Sequence, residues 1–131
     1  NTGHDGSMTT IHSNGPRDSL HRIENLVLMA GHQLNDKAIR EQVASALELI
    51  VHVSRMADGT RRILSVQELM GMEGNVVTMQ EIFRFVQTGV DKTGKVVGHF
   101  EATGIMPRCV DRIRLAGVQV PNEIFERGRR S

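Results

Sequence analysis

At 131 residues and a net charge of +1, the chain is one domain or part of one, without the basic excess that draws a protein to nucleic acid or anionic membrane. Four Phe, no Trp and no Tyr leave little on which bases could stack, so no nucleic-acid partner is expected. A single cysteine, Cys109, excludes an intrachain disulfide framework and a multi-Cys zinc module and fits a reduced, intracellular setting. The longest apolar runs fall far short of the roughly 18 residues a spanning helix needs, and no signal peptide is legible.

Taken in chain order, the glycine-rich start carrying His4 leads into Ser7 to His12, whose Thr-rich alternation predicts a strand. Ser13-Asn14-Gly15-Pro16 is a turn with proline at the first helical positions. Leu20, Ile23, Val27 and Ala30 follow at helical spacing, and Gly31 is placed to stop that helix. Asn35 or Asp36 caps a second helix, with Ile39, Val43, Ala46, Leu47 and Ile50 on its apolar face. The pattern then turns to β. Leu49 to Met56 and Arg61 to Leu69 flank an Asp58-Gly59 hairpin signal. Val76 to Val86 fits a strand by the alternation of Phe83 and Phe85, and a helix by Met79, Ile82 and Phe83. Asp91 to Gly94 is a turn into a strand from Lys95 to Ala102. Pro107 opens a helix ended by Gly117, Pro121 opens a short last helix, and Arg127 to Arg130 form a tail. The order β-α-α-β-β-β-β-α-α suggests an α/β fold: the back half of a mixed-sheet domain with an antiparallel meander and flanking helices. The stretch before Pro16 reads as a piece of something larger.

His12, at the expected end of a strand, is the first candidate for chemistry, because a neutral imidazole there can bond a phosphate or a water. His4 lies in the preceding glycine turn. Zinc is disfavoured. His4, Asp5, His12, His21, His32, His52 and His99 include no helical His pair at i, i+4 spacing. Ser7 and Cys109 sit in no nucleophile motif. No G-x-x-x-x-G-K-[ST] loop occurs, so the chain has no phosphate cradle of its own. Arg55, at the end of a predicted strand, could clamp a carboxylate or phosphate.

The segment Thr2 to Asn14 resembles the histidine box of the type II/type IV secretion ATPases. The blocks Pro16 to Leu20, Arg22 to Glu24, Val27 to Gly31, Ile39 to Ala46, Leu49 to Arg55, Gly71 to Gly74 and Ile82 to Phe85 are similar to the Tad-pilus (CpaF-like) branch. The likeness covers about residues 1–125. It implies that residues 1–131 are the C-terminal portion of a RecA-like P-loop NTPase domain, cut before the histidine box. The parent would be a hexameric ring at the cytoplasmic face of the inner membrane. It would hydrolyse ATP with magnesium for pilus assembly or secretion, against inner-membrane platform proteins. His12 and His4 would be catalytic, with Thr9, Thr10 and Arg55 on the nucleotide side. This part alone, lacking the phosphate loop and the magnesium carboxylates, is expected to be inactive and to bind no cofactor. It is also expected to self-associate through an exposed Ser7 to His12 strand. The competing reading is a stand-alone interaction module without catalysis.

Overall fold

The computed structural model describes residues 6–31 and 33–131. They form two compact units. The first holds the chain up to Glu48 together with 69–78. The second holds 49–68 and 79–131.

In the first unit, α1 (Pro16–Met29) begins on proline, whose missing N–H costs nothing at this position. Gly15 offers no side-chain cap, so Asp18 reaches back, its carboxylate accepting from Asn14 N–H at 2.9 Å. Helix α2 (Asp36–Ala46) is capped by Asn35, whose Oδ1 accepts from Ala38 N–H at 2.8 Å. It ends before Leu47, which is extended, so Ile50 belongs to the following strand and not to the helix face. Leu20 on α1, Ile39 and Val43 on α2, and Leu69 and Val77 from the strand segments are buried in this unit.

The sheet has the order β1-β2-β3-β4: β1 (Leu49–Arg55), β2 (Arg61–Glu73), β3 (Val76–Val90) and β4 (Val96–Ala102). Short turns join neighbours that follow one another in the chain, a connection that permits only antiparallel pairing. Two turns share one device. Met56 N–H bonds Thr60 O at 2.7 Å, and Asp91 N–H bonds Lys95 O at 2.8 Å. Each loop places glycine, Gly59 or Gly94, at φ 85, which only glycine adopts without strain. The ambiguous stretch after Val76 is strand throughout. The second unit adds α3 (Cys109–Leu115), stopped at Gly117 as its spacing predicts, and a short 3₁₀ turn (Asn122–Phe125). Its core is Ile82, Val110 and Phe125, with Phe83 stacked on Phe125 at 5.6 Å.

Two expectations are corrected. Residues 6–13 form no strand. An isolated six-residue segment with no neighbouring strand has no ladder to satisfy its backbone. The fold is therefore not the RecA-like α/β mixed sheet: the described residues form a four-stranded antiparallel sheet with three α-helices.

Candidate functional site

The predicted site residues fall in separate places. Thr9, Thr10 and His12 lie together in the irregular, exposed stretch before α1, and no hydrogen bond joins them to other described residues. The turn after them is ordered from within: Ser13 Oγ lies 2.6 Å from Ser19 Oγ, and Ser19 Oγ donates to Gly15 O. His4 lies outside the described residues. Arg55 belongs to the other unit, at the last position of β1 and directly opposite Arg61. Sequence reading missed Arg61. The signal was present, because a loop centred on Asp58 sets residues 55 and 61 in register.

Within the first unit, α1 and α2 enclose a groove of about 350 Å³, lined by His21, Glu24, Asn25, Leu28, Asp36, Ile39 and Arg40. Glu24 is largely covered, and Arg40 Nε lies 3.4 Å from its Oε2. Arg40 also donates to Asn75 O at 3.2 Å, and Arg17 donates to Val77 O. Arg40 thus ties α2 to the β2–β3 turn, and Arg17 ties α1 to the start of β3. His21 Nδ1 stands 3.8 Å from Glu24. Charged and polar side chains of both helices thus face one groove, where they can make polar contacts.

Two carboxylates of the second unit hold structure. Glu68 is buried on β2 and accepts from Arg108 N–H at 2.9 Å, Cys109 N–H at 3.1 Å and Gln80 Nε2 at 2.9 Å. Burial works to raise its pKa, but the donated bonds outweigh burial and hold it below the usual value. Asp58 accepts from Thr60 Oγ1 at 2.6 Å, Val96 N–H at 2.8 Å and Thr60 N–H at 2.9 Å. These bonds bring its pKa down to about 2. Arg62 donates to Val96 O and lies 5.1 Å over the Phe85 ring, so Asp58 and Arg62 grip the same residue from both sides of its backbone. On β3 and β4, Arg84 forks onto Glu101 at 2.8 and 2.9 Å, and His99 Nε2 lies 3.2 Å from the other Glu101 oxygen. The Arg84 and His99 bonds lower the Glu101 pKa. No group of three or more His, Cys, Asp or Glu suited to a metal ion occurs among the described residues.

No family model matches the chain. It is 40% identical over 74 residues to conjugal transfer protein TrbB of Rhizobium radiobacter, covering 56% of this chain and 20% of that protein. A protein of Mycobacterium tuberculosis strain H37Rv named for conjugal transfer is 37% identical over 76 residues, covering 58% of this chain and 21% of its own length. The chain thus spans about a fifth of the length of the curated relatives it matches. These names correct the Tad-pilus assignment: the relatives are conjugal transfer proteins, not CpaF-like pilus ATPases. No helix among the described residues is long and apolar enough to cross a membrane.

Proposed function

We propose that this chain is a working part of a conjugal transfer protein in a type IV secretion assembly. The observation that carries the reading is the 37–40% identity to proteins named for conjugal transfer over more than half of the chain. ATP hydrolysis with magnesium belongs, in this proposal, to the parent protein. The chain has no phosphate-binding loop, and catalysis of phosphoryl transfer rests on such positioned donors and metal. His12 would act beside the terminal phosphate, supported by His4, with Thr9 and Thr10 on the nucleotide side; Arg55, in the other unit, has no part in this proposal. The parent would work on the cytoplasmic face of the inner membrane, with further copies of itself and membrane platform proteins as partners.

The direct test is a segment exchange. The aligned 74 residues of the Rhizobium radiobacter protein are replaced by their counterpart from this chain, and plasmid transfer between cells is counted. Transfer within about tenfold of the unaltered protein supports the reading; this is a difference of about 1.4 kcal/mol in any one limiting step. Loss of transfer by a chimera that accumulates normally would refute it.

A further inference from the structure

The outer face of β1 carries features that the proposed function does not employ. Leu49, Val51 and Val53 alternate outward along this strand and are 43%, 51% and 52% exposed. Ile63, opposite Val53, is 42% exposed. The same strand pair ends on Arg55 directly opposite Arg61, both exposed. Like charges set directly across a ladder destabilise it. Neither guanidinium has a carboxylate in ion-pair range among the described residues, although Arg22, Arg40 and Arg84 each have one.

β1 is also the end of the strand order, so its outward backbone groups have no neighbouring strand among the described residues. The other edge is treated differently. The chain's last residues bond to β4, with Ala102 N–H to Arg129 O at 3.0 Å and Ser131 N–H to Phe100 O at 3.1 Å. One strand therefore combines an open hydrogen-bonding edge, an apolar row and an uncompensated pair of cations. The unit that carries it is basic, with twelve Lys and Arg against eight Asp and Glu.

We propose that the β1 edge receives an extended acidic segment of a partner protein as a fifth strand. Its alternate apolar side chains cover Leu49, Val51 and Val53, and its carboxylates meet Arg55 and Arg61. Backbone bonds supply affinity in such strand addition, and the side chains at alternate positions supply selection. The added strand lies about 4.8 Å from β1, within direct reach of Arg55, and the long Arg61 side chain extends from one strand further in. A second copy of this chain fits less well. Edge-to-edge pairing that overlays the two apolar rows brings a second set of arginines to the same edge. A nucleic acid answers the cations but offers no N–H and C=O ladder.

The test uses the whole chain and a short synthetic peptide with valine at alternate positions and two glutamates at the end that meets the arginines. Hydrogen exchange followed by NMR is expected to show the outward β1 amides protected as the peptide is added. The double variant Arg55→Glu/Arg61→Glu is expected to lose at least about tenfold in affinity, from two charge pairs together worth about 1.4 kcal/mol. A lysine-ended peptide is expected to bind that double variant in turn, which shows that the variant is folded. Equal binding of both peptides to the native chain overturns the proposal, as does unchanged exchange along β1. Sedimentation showing a dimer that protects the same amides without peptide assigns the edge to a second copy and overturns it as well.

Discussion

Asp58 shows how much one side chain can do without leaving the surface. Its carboxylate closes its own turn through Thr60 and reaches Val96 in the strand from the next hairpin. Its pKa in the folded chain is about 2, below the ordinary 3.8, so folding favours the charged form. That stability is present above the unfolded value and is lost as pH falls through the folded one. A carboxyl NMR titration is expected to give Asp58 a midpoint near 2, and Asp58→Asn to flatten the loss of stability between pH 3.8 and about 2. Glu68 acts from the interior in the same direction, its pKa held low by the N–H groups that open α3. Glu68→Ala strips those part-buried donors of their acceptor and is expected to cost about 1–3 kcal/mol in urea unfolding. Glu68→Gln, which keeps one acceptor oxygen, is expected to cost less. Equal losses for the two variants would mean that charge, rather than acceptor count, holds the helix.

At the scale of elements, β3 and β4 are joined by an unusually close approach. The Phe85 ring lies over Gly98, where a Cβ would meet Phe85 Cζ at 2.5 Å and also crowd the Val86 carbonyl. Phe85 is held in place by Phe100, edge-on at 5.3 Å, and by Arg62 above it. Gly98→Ala is therefore expected to destabilise the chain by about 1–3 kcal/mol, as overpacking does. Pairing it with Phe85→Leu is expected to recover part of that loss. Thermal unfolding of the two variants side by side measures the difference, and additive losses would show that the ring is not the obstacle. A glycine inside a strand pattern marks a close approach, but only the register of β4 on β3 names the ring responsible.

At the scale of the molecule, the sequence holds no G-x-x-x-x-G-K-[ST] loop, the usual backbone cradle for nucleotide phosphates. Calorimetry with a non-hydrolysable ATP analogue and magnesium is expected to show no heat of binding, because no phosphate-binding loop is present in the sequence. Micromolar affinity at a defined stoichiometry would contradict this. The charge is also unevenly divided. One unit holds four Lys and Arg against seven Asp and Glu, and the other twelve against eight. The near-neutral total hides this division, so the weak electrostatic case read from net charge applies to the chain as a whole and not to each unit.

Local signals in the sequence determined most of the elements. Pro16 and Asn35 started helices, Gly31 and Gly117 stopped them, and Asp58-Gly59 and Asp91 to Gly94 turned the strands. Each of these acts through the backbone of a few adjacent residues, which is why it could be read without a fold. The segment Ser7 to His12 failed on the same ground: a strand requires a neighbour, and alternation alone does not supply one. Tertiary structure alone decided which sheet formed and which charges met. Glu68 beneath α3 and Arg40 on Glu24 are pairings between residues distant in sequence. Hydrophobic periodicity determines which way a side chain points, and only the paired strands and the packed helices determine what it points at.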